Sequence, residues 1–170
     1  CDLFTFNKCE YLVTVDYFSN YFELDKLGQC SSAQKVINKL KYQFSRHGIP
    51  DTIISDNGPL FACEDFQIFS KQWDFEHLTV SPHHSRGNGK AESAVKAAKS
   101  LLRKALDSGE DPYLALLELR NTPTQDTGTR PVQRLYNRRT PTALPMSAKL
   151  QQPRTSGADM ERLSKSKARQ

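Results

Sequence analysis

The order of its apolar patterns is what most restricts how this chain can fold. Two β-rich runs, Asp2 to Phe6 and Tyr11 to Phe18, come first, joined by Asn7-Lys8-Cys9-Glu10 in a spacing that predicts a hairpin, and Tyr21 to Leu27 reads as a third strand. Strand-like and helix-like segments then alternate. Ser31 and Ser32 offer an N-cap to a helix whose Ala33, Val36, Ile37, Leu40 and Phe44 recur at helical spacing, and Gly48 and Pro50 close it. Thr52 to Ser55 is a short strand, Glu64 to Trp73 a helix burying Phe66, Phe69 and Trp73, and Phe75 to Val80 another strand. After the breaker-rich loop Ser81 to Gly89, Lys90 to Asp107 read as a long amphipathic helix. A further helix has Asp111 as cap and Pro112 in its first position and runs to Arg120, and Pro131 starts a short third one. Strands first, then strands alternating with helices, predict an α/β fold with a mixed sheet flanked by helices on both faces.

Three acids fall at the places where such a fold gathers polar sites, strand ends and helix starts. Asp56 closes Thr52-Ile53-Ile54-Ser55 and opens the turn Asn57-Gly58-Pro59, while Glu92, after 35 intervening residues, stands in the first turn of the long helix. Asp2, with 53 residues between it and Asp56, lies on the opening strand. This spacing suits metal-assisted phosphoryl transfer. Three carboxylates facing one cleft match Mg²⁺ or Mn²⁺, which favour oxygen ligands, and a metal pair can activate a water or sugar hydroxyl and stabilise the leaving oxygen. Each acid alone has an ordinary alternative: Ser55-Asp56-Asn57-Gly58 is a turn signal, and Glu92 before Lys96 is a common helix pair. Asp16 is the rival first acid. If Phe6 pairs with Tyr11, then Asp2 pairs with Val15, and two-residue alternation puts Asp16 on the opposite face from Asp2, leaving it to cap the strand end.

Charge is uneven along the chain. The net +5 divides into +5 over residues 83 to 104 (six Lys/Arg against Glu92), +8 over 130 to 170 (ten against Asp159 and Glu161) and −8 over the rest. On the long helix, Lys96, Lys99 and Arg103 share a narrow arc with Glu92, away from Ala94, Val95, Ala98, Leu101, Leu102 and Ala105. A polyanion is the partner this distribution fits, the alternative being a solvated, solubilising surface. No apolar run is long enough to span a membrane, and the chain opens without the pattern of a signal peptide or an initiating Met, so a piece of a longer polyprotein is expected. Cys1, Cys9, Cys30 and Cys63 lack the spacing of a disulfide scaffold, which points to a reducing, intracellular setting. His47 and His77 read as structural. From about Ser147 onward the chain is polar and basic without apolar periodicity, so residues 1–146 are read as one core domain and 147–170 as a tail or linker.

Several segments together resemble a known family. Cys1-Asp2-Leu3-Phe4-Thr5-Phe6, Tyr11-Leu12-Val13-Thr14-Val15-Asp16-Tyr17-Phe18-Ser19, Phe44 to Asp51, Ser55-Asp56-Asn57-Gly58-Pro59-Leu60-Phe61, Asn88-Gly89-Lys90-Ala91-Glu92 and Arg120-Asn121-Thr122-Pro123 look like the integrase catalytic core of gypsy-type LTR retrotransposons. The resemblance covers roughly residues 1 to 145. It implies a ribonuclease-H-like fold, the triad Asp2, Asp56 and Glu92 with Mg²⁺ or Mn²⁺, and two reactions, trimming of element DNA 3′ ends and their transfer into target DNA. It also implies DNA contacts by His83, Asn88, Lys96 and Lys99, with Arg103 beside them steering phosphates. Assembly as at least a dimer, and action in the nucleus or a cytoplasmic retroelement particle, follow from the same likeness. The resemblance leads one to expect a zinc-binding domain upstream and a DNA-binding domain downstream, and neither pattern is read within these residues. Two rivals remain open: a truncated or domesticated copy that only binds DNA or its own kind, and a ribonuclease-H-type hydrolase acting on RNA–DNA hybrids.

Overall fold

In the computed structural model, which describes residues 1–80, 89–124, 127–143, 145 and 147–152, β1 (Asp2–Phe6) turns back on β2 (Cys9–Val15) through Asn7 and Lys8 alone. Both turn residues adopt left-handed backbone, φ 46° and 60°. That geometry matches the twist of a tight hairpin. The register is therefore Asp2↔Val13 and Phe6↔Cys9, two residues from the expected pairing of Asp2 with Val15. A four-residue connection was expected because a lysine carries no turn signal at a left-handed position.

β3 (Phe22–Gly28) pairs with the other side of β2, giving a three-stranded sheet in the order β1-β2-β3. β4 (Thr52–Asp56) and β5 (Glu76–Val80) pair in parallel, Thr52 opposite Glu76 and Asp56 opposite Val80. Antiparallel and parallel pairings both occur, as a mixed arrangement requires, but in two sheets rather than one. The Cys1 α-amino group donates to the Ile54 carbonyl of β4 at 2.5 Å. Burial lowers that amine's pKa to about 6.

The helices are α1 (Ala33–His47), α2 (Glu64–Gln72), α3 (Gly89–Ser108), α4 (Pro112–Arg120) and α5 (Pro131–Tyr136), and Ala148–Gln151 form a 3-10 turn. The last is regular structure where none was expected from the polar sequence; residues 153–170 lie outside the described part. Local chemistry explains the helix ends. Ser32 Oγ accepts from the Lys35 N–H, and the Gly48 N–H, on a backbone with φ 90° that a side chain would strain, donates to the Phe44 carbonyl. Asp111 caps α4 by accepting from the Tyr113 N–H at 2.8 Å, with Pro112 in the first turn.

The chain forms two compact units interleaved in sequence, Cys1–Val15 with Glu23–Lys99, and Asp16–Phe22 with the described residues from Ser100 onward. In the first unit, Leu12, Leu27, Val36, Ile37, Leu40, Ile53 and a set of rings make one core. Phe69 meets Phe44, Phe66 and Phe75 at centroid distances of 5.8, 5.7 and 5.0 Å, so α1, α2 and the approach to β5 interlock through aromatic contacts. Fully burying one such ring is worth roughly 2 to 3 kcal/mol. His47, expected to be structural, lies 2.8 Å from Glu23, which Arg46 also approaches.

In the second unit the turn after β2 is held from several directions. Asp16 folds over it, accepting from the Ser19 N–H at 2.8 Å and from the Ser19 hydroxyl. Arg120 donates twice to the Phe22 carbonyl and stacks over Tyr21, and Arg134 donates to the Ser19 carbonyl, to the Thr129 carbonyl and to the hydroxyls of Thr124, Thr127 and Thr129. The rival carboxylate at Asp16 is thus engaged in capping its own turn.

Candidate active site

Asp56 stands at the last residue of β4, where the strand gives way to the turn Asn57-Gly58. Ser55 is fully buried and its hydroxyl donates to the Asp56 carbonyl at 2.8 Å, while the Gly58 N–H reaches back to Asp56 Oδ1 at 3.3 Å. Gly58 has a spatial reason to be glycine. A β-carbon there would lie 3.1 Å from Oδ1 and 3.3 Å from Oδ2 of Asp56. Beyond the turn, the Phe61 and Ala62 N–H groups both donate to the Gly58 carbonyl, which closes it.

Asp2 enters from β1, half-buried, its Oδ1 accepting from the Leu3 N–H at 2.8 Å. Burial raises its pKa above the ordinary 3.8, and the negative charges of Asp56 and Glu92 push it further the same way. The three predicted carboxylates therefore share one electrostatic neighbourhood in the first unit. Glu92 is exposed in the first turn of α3, where the helix dipole favours an anion. None of the three points into the apolar core. They do not form a ready cage: among the described residues no group of three His, Cys, Asp or Glu is placed to hold a metal ion as it lies.

Ala91, Ala94 and Ala98 are buried on α3, and Lys96 and Lys99 are exposed, as the helix pattern predicts. Lys99 crosses the face of Phe4, Nζ 5.5 Å from the ring centroid, and Phe4 stacks on Tyr11 at 5.3 Å. Arg103, also exposed, belongs to the part of α3 in the second unit. His83 and Asn88 lie outside the described residues.

No family model matches the chain. It is 32% identical over 150 residues to the Gag-Pro-Pol polyprotein of sheep pulmonary adenomatosis virus, covering 83% of this chain and 9% of that protein. It is 34% identical over 143 residues to the uncharacterized protein K02A2.6 of Caenorhabditis elegans, covering 81% of this chain and 11% of that protein. Among solved structures, the catalytic core domain of BIV integrase superposes with a TM-score of 0.67 at 21% identity, over 79% of this chain and 91% of that one. The chain has the fold of a retroviral integrase catalytic core.

The HTLV-2 integrase catalytic core in complex with magnesium, in a trimeric form, shares this integrase fold with a TM-score of 0.63 at 24% identity, over 78% of this chain and 90% of that one. The expected ribonuclease-H-like α/β class and the likeness to retroviral-type integrases are borne out; none of these relatives singles out gypsy-type elements. The chain spans about a tenth of the length of the curated relatives it matches. No described helix is long and apolar enough to cross a membrane.

Two features of the integrase-fold site escaped sequence reading. Gly58 reads as a turn signal, whereas its place is set by the room the Asp56 carboxylate needs. His77 reads as structural, yet its Nε2 lies 2.9 Å from Ser55 Oγ, next to Asp56. Parallel strands in a predicted sheet were the only available hint, and no sequence register links His77 to Ser55.

Proposed function

We propose that this chain is the catalytic core of a retroelement integrase, a polynucleotidyl transferase that trims element DNA 3′ ends and joins them to target DNA. What supports the reading most is that Asp2, Asp56 and Glu92, from three separate elements, lie near enough for the charges of the last two to add to the burial that raises the Asp2 pKa. A carboxyl perturbed by burial and by neighbouring acids is a common mark of a reactive site. The integrase-core fold and the relation to viral Gag-Pro-Pol polyproteins point the same way. The motifs matching gypsy-type LTR elements assign the chain, in this proposal, to that branch, with residues 1–146 as the core and 147–170 as a linker.

The donor chemistry fits Mg²⁺ or Mn²⁺: three hard oxygen donors whose mutual repulsion a cation would relieve, held by Asp2, Asp56 and Glu92. Once bound, a pair of divalent ions would stabilise the attacking and leaving oxygens of an in-line displacement. The chain's own residues supply the rest. Ser55 and Gly58 orient the Asp56 carboxylate, Lys96 and Lys99 present ammonium groups to backbone phosphates, and Arg103, His83 and Asn88 extend the DNA contact. Element ends and a target duplex are the substrates, on a homo-oligomer acting in the nucleus or a retroelement particle.

Asp56→Asn and Glu92→Gln test this. Each is expected to abolish Mg²⁺-dependent joining of short duplex ends while circular dichroism and melting stay close to the unmodified protein. Unchanged joining in either variant would refute the assignment. Offering an RNA–DNA hybrid beside the duplex separates a ribonuclease, and salt-dependent binding without any cleavage identifies a DNA-binding module.

A further inference from the structure

Ser55 and His77 sit on the two parallel strands of one sheet, β4 and β5, in which Ile53 stands opposite His77 and Ser55 opposite Thr79. The His77 ring packs on Phe66 at 4.6 Å and on Phe61 at 6.5 Å, with Nε2 2.9 Å from Ser55 Oγ. Ser55 Oγ in turn lies 2.8 Å from the Asp56 carbonyl. A carbonyl only accepts, so the single proton of the serine hydroxyl is committed to Asp56. Nε2 of His77 must then carry a proton and donate it. The chain of bonds runs His77 Nε2–H to Ser55 Oγ–H to the Asp56 carbonyl, each link with one polarity.

Holding that carbonyl fixes the peptide plane between Asp56 and Asn57, and with it the direction in which the Asp56 side chain leaves the strand. The carboxylate is exposed, and among the described residues its oxygens accept just the long Gly58 N–H bond, so the backbone beneath it is what aims it. Packing against two phenylalanines fixes the imidazole in turn. We propose that His77 is a positioning residue for Asp56, acting through Ser55 and supplying the Nε2 proton that sets the polarity of the relay. This rests on the integrase reading only in taking Asp56 as a metal-binding carboxylate.

The test uses ¹⁵N- and ¹³C-labelled chain, with Mn²⁺ as the probe ion. The expected result is an Nε2–H tautomer of His77, with Ser55→Ala and His77→Phe both shifting the Asp56 carbonyl and carboxylate resonances. Those two variants should also weaken Mn²⁺ binding roughly tenfold, the size usual for partners that orient a metal ligand. Ser55→Thr, which keeps the hydroxyl, and His77→Gln, which keeps an N–H donor, should recover most of the affinity. An Nδ1–H tautomer would overturn the proposal. So would a His77→Phe protein that melts normally with unmoved Asp56 resonances. Should His77→Phe not fold, Ser55→Ala and His77→Gln carry the same comparison. If the unmodified chain binds no Mn²⁺, the integrase reading fails, while the tautomer and the metal-free Asp56 resonances still decide this one.

Discussion

The Asp56 carboxylate occupies the space above Gly58, where a β-carbon would stand 3.1 Å from its nearer oxygen. Gly58→Ala should therefore push the carboxylate aside by a few tenths of an ångström without straining a left-handed backbone. Small displacements of a reacting group are costly: joining activity is expected to fall by about ten- to a hundredfold. Melting should change little, and a strand-joining assay run beside a thermal melt reads both.

Asp2 makes stability depend on pH in an unusual direction. Its folded pKa is raised, chiefly by burial and then by Asp56 and Glu92. An acid raised on folding binds its proton more tightly in the native state, so its stabilising contribution is full below the ordinary value of 3.8 and is lost as pH climbs through the folded value. Once ionised, Asp2 is a strain on the metal-free protein. Asp2→Asn, which keeps an oxygen for the Leu3 N–H, should melt higher than the unmodified chain at pH 7. The gap should close below about pH 4, and Mg²⁺ should raise the melting point of the unmodified chain alone.

Lys96 and Lys99 are both exposed on α3, but Lys99 leans over Phe4. If each meets one phosphate, replacing either by Ala should reduce the slope of log affinity against log salt by about 0.9. Fluorescence anisotropy of a labelled duplex across a salt series measures it.

Arg134 ties α5 to the turn after β2 through the Ser19 carbonyl, and also donates to the hydroxyls of Thr124, Thr127 and Thr129 and to the Thr129 carbonyl. Arg134→Met leaves those half-buried acceptors short of a donor. Urea unfolding should show a loss of about 3 kcal/mol, since each such group costs roughly 1 to 3 kcal/mol.

Much of this was legible in the residues because it is written in local chemistry. Ser32, Gly48, Asp111 and Pro112 mark helix ends by side-chain and backbone rules that act within four residues, and the structure places the ends there. The small-residue face of α3 follows from period alone. The hairpin register did not, because it depended on Lys8 accepting a φ of 60°. Strand parity was the argument for Asp2 over Asp16 in the sequence, yet Asp16 lies beyond β2, and what engages it is its own turn with Ser19. Gly58 and His77 stayed hidden for a different reason: their roles are set by through-space geometry, between a missing β-carbon and a carboxylate, and between two strands 22 residues apart.

The most direct measurement is of where a divalent ion settles. Adding Mn²⁺ to ¹⁵N-labelled chain broadens the amide signals of residues near the bound ion. The expected result is loss of the Asp2, Asp56 and Glu92 signals together at one low Mn²⁺ level, abolished in Asp56→Asn. Broadening centred elsewhere, or a triad whose members respond at separate concentrations, would contradict a shared metal site.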